Sequence, residues 1–166
     1  NYDTSIDRLD VLKFKEGINE SDVIVQRKGN DLLLTIGEDS IQINSYFIND
    51  SYALNSIEFA GGAVWGINQV KQKVLQASEL NDEITGYSEG ESLYGLGGDD
   101  RLNGQGGDDI LDGGTGNDVL IGGEGSDTYL FGKGDGHDQI NNYDIAIDRL
   151  DVLKFKEGID ESDVIA

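Results

Sequence analysis

The chain has 166 residues, a length that suits one ordinary domain or two small ones. It carries 33 acidic against 12 basic residues, a formal net charge of −21. Such a charge opposes compaction, which favours a cation as partner and argues against nucleic acid, whose phosphates require clustered Lys and Arg. Cys is absent, which excludes disulfides and thiolate metal sites. No apolar run reaches the roughly 18 residues of a membrane-spanning helix, so we expect no membrane span.

The first and last segments of the chain are copies of each other. Asn1 to Ile24 and Asn142 to Ile165 are identical at 21 of 24 positions, with an offset of 141 residues. We interpret residues 142–166 as the start of the next unit of a tandem repeat, and we expect the chain to be an excerpt of a longer array. Neighbouring units of the same chain are then expected partners, and homotypic assembly is a further expectation.

Residues 1–65 contain short apolar or alternating segments separated by Gly, Asn and Asp turns. This pattern is typical of short strands and predicts a small β-rich domain. The segments read DRLDVLKF, DVIVQR, DLLLTI, SIQINSYF and NSIEF. In the following stretch, residues 66–78, Ile67, Val70, Val74 and Leu75 follow helical spacing. We predict one short amphipathic helix there, placed to cap the strand edges of the repeats that follow.

Residues 79–141 repeat with a period of nine. Four regular nonapeptides begin at Gly95, Gly104, Gly113 and Gly122, two degraded ones precede them, and an expanded one starts at Phe131. The sixth position is acidic in each of the first six: Asp82, Glu91, Asp100, Asp109, Asp118 and Asp127. The eighth position holds an apolar or aromatic side chain: Ile84, Leu93, Leu102, Leu111, Leu120 and Tyr129.

Such short strands are stable only if the chain coils, with two nonapeptides in each turn and each strand paired to the one 18 residues later. The eighth-position side chains then stack as two inward ladders, one from Ile84 through Leu102 to Leu120 and one from Leu93 through Leu111 to Tyr129. The predicted fold is all-β: a right-handed parallel β-roll, or solenoid, with an adjoining small β-rich domain and one short helix.

The roll would also stack its carboxylates. Residues 86–130 include ten acidic side chains and a single base, Arg101. Two like charges 4 Å apart repel by about 4 kcal/mol at an effective dielectric constant of 20. A divalent cation between the turns would reverse that sign. Ca²⁺ prefers an all-oxygen, irregular site, whereas Zn²⁺ requires His or Cys and Mg²⁺ a strict octahedron. The pattern therefore predicts several bound Ca²⁺ ions.

The nonapeptides resemble the RTX, or haemolysin-type, calcium-binding repeat with the consensus GGxGxDxUx. Residues 1–65 resemble the haemolysin-type calcium-binding-related region found beside such repeats. The similarity rests on FKEGI from Phe14, NDLLL from Asn30 and IEF from Ile57.

The resemblance implies ligand sets that join one nonapeptide to a later one through two carboxylates and backbone carbonyls. The first set is Leu96, Gly98, Asp100, Gly113, Thr115 and Asp118. The second is Gln105, Gly107, Asp109, Gly122, Glu124 and Asp127. A third joins Asp82 to Asp100 through Ser78, Leu80, Gly95 and Gly97, with Leu80 where the pattern has Gly. A fourth joins Asp118 to Asp138 with Gly114 and Gly116.

The same resemblance implies a secreted, extracellular or cell-surface protein exported by type I secretion. We therefore expect a structural module of an adhesin, stalk or filament, with an accessory domain of a toxin or exoenzyme as the alternative. The strand-rich segment leaves a third function open, the binding of a carbohydrate or of a neighbouring chain. No nucleophile–base pair or zinc motif is evident in the sequence, so we expect no enzymatic activity and no catalytic residue here.

Overall fold

The chain is described by a computed structural model that covers residues 9–145 and 148–164. It divides into two compact units, Asn1–Val74 and Leu75–Ala166. Both are built mainly from β-strands, and one short α-helix lies in the first unit. This architecture confirms the predicted fold class.

The first unit contains two three-stranded sheets. One is antiparallel, with the order β2 (Ile24–Lys28), β3 (Asp31–Ile36) and β4 (Asp39–Ile43). In the other sheet, β1 (Val11–Lys13) is parallel to β5 (Ser56–Glu58), which pairs antiparallel with β6 (Val64–Gly66). Five of these six strands lie within predicted segments to within one residue at either end, and β6 had no alternating pattern to indicate it.

The core of the first unit is apolar and aromatic. Leu32, Leu34, Ile57 and Trp65 are buried, and the Trp65 ring packs edge-to-face on Phe59 with centroids 4.6 Å apart. The helix, α1, spans Ile67–Lys73 and turns Val70 into this core. It is shorter than the predicted 66–78, and its proposed capping role stays a prediction.

The second unit is a parallel β-solenoid. One sheet has the order β7 (Glu83–Thr85), β9 (Arg101–Gly106), β11 (Val119–Glu124) and β13 (Gln139–Asn141). The other has the order β8 (Ser92–Tyr94), β10 (Ile110–Asp112), β12 (Thr128–Phe131) and β14 (Val152–Phe155). Successive strands of the chain therefore alternate between the two sheets, as the nine-residue period predicts.

The strand registers confirm both inward ladders. Leu102 pairs with Ile84 on one side and Leu120 on the other, whereas Leu111 pairs with Leu93 and Tyr129. All six side chains are buried and form one core cluster. The cluster is a single side chain deep on each wall, so the apolar core alone is thin.

Glycine is required where the turns of the solenoid stack. Gly116 has φ +144°, and a Cβ there would lie 2.0 Å from the carbonyl oxygen of Gly98 in the turn below. Because no L-residue side chain fits that gap, the turns approach each other through bare backbone. Carbonyl oxygens of one turn thereby lie against the backbone of the next.

The last strand of the solenoid comes from the second copy of the repeated segment. Leu153 of β14 pairs with Tyr129, so a strand from residues 142–166 extends the roll sheet. The sequence boundary of the repeat at residue 142 is therefore not the boundary of the sheet.

The inward apolar ladder predicts that substitutions at two neighbouring residues of β10 change the free energy of unfolding by very different amounts. Leu111→Ala should lower the free energy of unfolding of the calcium-loaded roll by about 2–5 kcal/mol, because it leaves a cavity in a thin core. Ile110→Ala, on the outer face and 38% exposed, should cost about 1 kcal/mol or less. Chemical denaturation of both variants in calcium measures the difference, and equal losses would contradict the inward ladder.

Candidate metal centre

The sixth-position carboxylates form a continuous ladder along the solenoid. In each step a backbone N–H donates to the Oδ1 atom of the carboxylate one turn later, over 2.7–3.1 Å. On one wall the carboxylates of Asp100, Asp118 and Asp138 accept from Asp82, Asp100 and Asp118. On the other wall, those of Asp109, Asp127 and Asp151 accept from Glu91, Asp109 and Asp127. One oxygen of each carboxylate is thus fixed by the backbone.

The second oxygen of most of these carboxylates is bare. The Oδ2 atoms of five residues are buried and have no hydrogen-bond partner: Asp100, Asp109, Asp118, Asp127 and Asp138. A buried polar atom without a partner costs about 1–3 kcal/mol, and more when it is charged. Five such atoms in one small solenoid indicate that a positively charged group belongs beside them.

Carbonyl oxygens lie next to the bare carboxylate oxygens. A Cβ built on Gly95 would meet the Gly113 carbonyl oxygen at 2.2 Å and Asp100 Oδ2 at 2.3 Å. On the other wall, a Cβ on Gly104 would meet Asp109 Oδ2 at 2.0 Å and the Gly122 carbonyl oxygen at 2.6 Å. Each pair of oxygens is one that the expected ligand sets combine, Asp100 with Gly113 and Asp109 with Gly122.

The donor atoms around the ladder suit a hard cation. They are carboxylate and carbonyl oxygens, which Ca²⁺ accepts in irregular arrangements of six to eight. Within residues 9–145 and 148–164, no three or more His, Cys, Asp or Glu side chains group into a side-chain metal cluster. Main-chain carbonyls would therefore have to supply much of any coordination sphere, and the glycine turns expose such carbonyls.

Comparisons with known proteins agree with this geometry. Residues 85–120 and 104–140 match the RTX calcium-binding nonapeptide repeat, and residues 31–69 match the haemolysin-type calcium binding protein related domain. The chain therefore carries RTX calcium-binding nonapeptide repeats over residues 85–140. It is also 35% identical over 104 residues to the iron-regulated protein FrpA of Neisseria meningitidis serogroup C, which covers 60% of this chain. It spans only 9% of the length of that relative.

RTX nonapeptides bind calcium, and the repeats of this chain are a calcium-binding RTX-type module. The ligand residues and the number of ions stay predictions. Of the carbonyls expected in the first set, that of Leu96 accepts from Thr115 N–H at 2.9 Å, and that of Thr115 accepts from Gly98 N–H at 3.0 Å. These bonds hold the two turns in register.

The second expected set has the same stacked arrangement. A Cβ on Gly123 would lie 2.2 Å from the Gln105 carbonyl oxygen, and one on Gly125 would lie 2.1 Å from that of Gly107. The side chain of Glu124 is exposed, so its backbone carbonyl is the group that the expected set uses.

Glu91 replaces aspartate in the ladder without breaking it. Its Oε2 atom accepts from the Tyr87 N–H at 2.9 Å and lies beside the Gly104 carbonyl oxygen, both near the space that a Cβ on Gly86 would fill. The longer side chain therefore reaches the same position relative to its turn that Asp100 reaches beside Gly95.

The two ends of the ladder differ in how their carboxylates are satisfied. Asp82, in the third expected set, accepts from the N–H and hydroxyl of Ser78 at 2.7 and 2.9 Å. Asp138, in the fourth set, keeps a bare Oδ2 atom. Because the Asp82 carboxylate already has donors at its own turn, we expect the third set to hold calcium more weakly than the first two.

Two residues of the ladder's end, Asp151 and Lys156, were missed from the sequence, and both lie at the last turn. Asp151 continues the ladder and pairs with Arg149 at 3.1 Å. Lys156 bonds to Asp112 at 2.6 Å and to Asp135, itself buried, at 2.8 Å. Two cations of the protein itself thus pair with carboxylates near the final turn. The pattern gave no signal for this because Asp151 and Lys156 belong to the second copy, outside the nine-residue period.

The bare carboxylates resist ionisation in the metal-free solenoid. Burial raises the pKa of Asp100 and of Asp109 to about 6, and the carboxylates of neighbouring residues and turns contribute in the same direction. Burial likewise raises the pKa of Asp118, Asp127 and Asp138. A bound dication would favour the ionised form and reverse these shifts.

These raised pKa values predict opposite pH effects with and without calcium. A carboxyl whose pKa is higher in the folded state than in the unfolded chain favours folding at low pH. Without calcium, solenoid content should therefore rise as pH falls from 7 towards 4. In calcium, the concentration needed for half-folding should increase below pH 6, because protons compete for the same oxygens. Circular dichroism titrations at pH 7, 6 and 5 measure both trends. A calcium midpoint independent of pH would contradict the assignment of these oxygens as ligands.

The ladder predicts different results for two adjacent aspartates. Asp109→Ala should raise the calcium concentration at half-folding by tenfold or more, since it removes a buried carboxylate that is an expected ligand and also removes a ladder bond. Asp118→Ala should act similarly on the other wall. Asp108→Asn is the matched control, because Asp108 is exposed, the change removes the same charge, and asparagine can keep the bond that Asp108 Oδ1 accepts from the Ser126 N–H at 2.8 Å. We expect a shift of no more than about threefold for it. Equal shifts at positions 108 and 109 would show that net charge, rather than the ladder, determines calcium dependence.

Proposed function

We propose that this chain is a structural module that folds when it meets calcium outside the cell, as part of a large secreted RTX protein. The observation that carries the proposal is the set of five buried carboxylate oxygens without a hydrogen-bond partner. Their burial is unfavourable without a cation and becomes favourable with one. The same atoms therefore make the solenoid conditional on the metal.

Calcium concentration would then act as the folding signal. A charge of −21 keeps the chain expanded where free calcium is low. Where calcium is high, the free energy of binding becomes free energy of folding. An expanded chain suits passage through a type I secretion channel, and the folded solenoid suits a stable extracellular structure.

The repeated segment supports a role in an array. Its two copies are identical at 21 of 24 positions, and the second copy is built into the roll sheet through β14. We propose that successive units make a stalk, adhesin or filament, and that the module has no catalytic role. Each unit would then consist of a β-rich module over residues 1–65, a capping helix over 66–78 and a roll over 79–141, with the next unit starting at residue 142.

The match to FrpA favours a second candidate function, that of an accessory domain. The chain spans 9% of FrpA, so a module of this kind also occurs as a small part of a much longer protein. In that case it would stabilise or help export a parent whose activity lies in another domain. A parent sequence made of end-to-end units favours the array, and one dominated by an unrelated domain favours the accessory role.

Circular dichroism of the chain in chelator and in calcium tests the proposal. We expect a spectrum lacking solenoid strand signal in chelator, and a cooperative gain of strand signal as Ca²⁺ approaches millimolar concentration. Mg²⁺ at the same concentration is the control, and it should produce much less strand signal because it demands a stricter octahedron. A full strand spectrum in chelator, or identical titrations with both cations, would refute calcium-driven folding.

A further inference from the structure

The two copies of the repeated segment form strands that pair with different partners. In the first copy, β1 pairs with β5 of the first unit; in the second copy, β14 pairs with β12 of the solenoid. The sequence DVLKFKEGI is identical in the two copies. One sequence is therefore seen in two structural contexts, and the backbone shows how each context uses it.

The two pairings use opposite edges of the same strand. In the first copy, the Phe14 N–H donates to the carbonyl of Glu58 in β5, and the Asp10 carbonyl accepts from the N–H of Asn55, just before β5. In the second copy, the N–H groups of Val152 and Lys156 donate to the backbone carbonyls of Asp127 and Phe131 respectively. These positions correspond to Val11 and Lys15. Since N–H and C=O groups of alternate residues point to opposite edges of a strand, neither pairing occupies the edge that the other uses.

We propose that one copy of this segment makes both pairings at once, joining the solenoid of one unit to the β-rich domain of the next through a shared strand. This joint strand would pair with β12 of the preceding unit on one edge and with β5 of its own unit on the other. The proposal rests on the proposed function, because the solenoid must first fold. Its occupant is defined: the end of the solenoid of another unit of this chain.

The registers make the joined sheet continuous. The order becomes β8, β10, β12, the joint strand, β5 and β6, with only β6 antiparallel to the rest. Tyr129 pairs with Leu153, Leu12 pairs with Ile57, and Ile57 pairs with Trp65. Because Leu12 and Leu153 are the same position of the repeat, the inward ladder of the solenoid would run directly into the core of the next unit.

Side chains at equivalent positions of the two copies make different packing contacts, and each copy lacks the contact that the other makes. Leu153 and Phe155 are 47% and 40% exposed at the end of the solenoid. In the first copy, the position of Phe155 is Phe14, whose ring lies 5.1 Å from that of Phe59. In the second copy the ring of Phe155 lies 6.5 Å from that of Phe131. In the joint, one phenylalanine would make both ring contacts and lose its exposure.

Charged groups would be satisfied at the same joint. In the second copy, Lys156 bonds to Asp112 and Asp135, and Asp151 accepts the N–H of Asp127. Their counterparts in the first copy are Lys15 and Asp10, and the side chain of Lys15 is exposed there. A preceding solenoid would provide Lys15 with two carboxylates and Asp10 with a place in the aspartate ladder.

Amide hydrogen exchange measured by NMR in calcium tests the joint. In the 166-residue chain, protection should alternate: Leu12 and Phe14 protected but Val11 and Lys13 fast in the first copy, and Val152 and Lys154 protected but Leu153 and Phe155 fast in the second. A two-unit chain, residues 1–141 followed by the complete chain, contains one joint. In the copy at that joint, the amides of Val11, Leu12, Lys13 and Phe14 should all be protected, with exchange at least about 100-fold slower than that of unprotected amides.

The core amides of Leu102, Leu111 and Leu120 separate the possible failures. If they are unprotected in calcium, the solenoid has not folded and the proposed function fails. If they are protected but the joint strand keeps one-sided protection, calcium folding stands and the joint is wrong. Lys13→Pro is the matched variant, because it removes one N–H from the edge that faces the solenoid. In the 166-residue chain it removes the exposed Lys13–Glu58 ion pair but should leave the backbone bonds to β5 intact. In the two-unit chain it should restore fast exchange at Val11 of the copy at the joint.

Discussion

Repulsion between the carboxylates that the backbone holds in a ladder is the interaction that the solenoid must overcome in order to fold. Each aspartate of the ladder gives one oxygen to an N–H of the neighbouring turn, and this bond fixes the carboxylate in a buried position. The second oxygen then has carbonyl oxygens as neighbours, which add negative potential. Glycine turns produce that crowding, since a Cβ at Gly116 would collide with the carbonyl of Gly98. The glycine turns therefore account both for the backbone stacking and for the crowding of oxygens that a bound cation would relieve.

Much of the solenoid could be predicted from the sequence because its period leaves few solutions. A strand as short as Glu83–Thr85 or Ile110–Asp112 has no stability alone, and pairing every eighteenth residue is the arrangement that buries Leu102 and Leu111. The first unit was less predictable. Strand β6 contains Trp65 between Val64 and Gly66, a segment too short to show an alternating pattern, and its pairing with β5 is a tertiary preference.

The last turn of the solenoid could not be predicted from the sequence, because the nine-residue period is lost there. The expanded nonapeptide changes the ladder step from 18 residues to 20 at Asp138 and to 24 at Asp151. A pattern of fixed period ends there, whereas the backbone continues. The second copy then contributes Lys156, a cation of the protein itself, at the turn where the aspartate ladder ends. If the proposed joint strand forms, the repeated segment would complete one unit and begin the next, which would give a physical reason for its two copies to be alike.

The most direct measurement of the central claim is the position of calcium in crystals of the chain grown with the metal, located by anomalous scattering. The account predicts ions about 2.3–2.6 Å from the Oδ2 atoms of Asp100, Asp109, Asp118 and Asp127, each also bound by carbonyl oxygens of a neighbouring turn. Anomalous peaks confined to exposed acidic side chains, with the four buried Oδ2 atoms left without a cation in a folded solenoid, would contradict it.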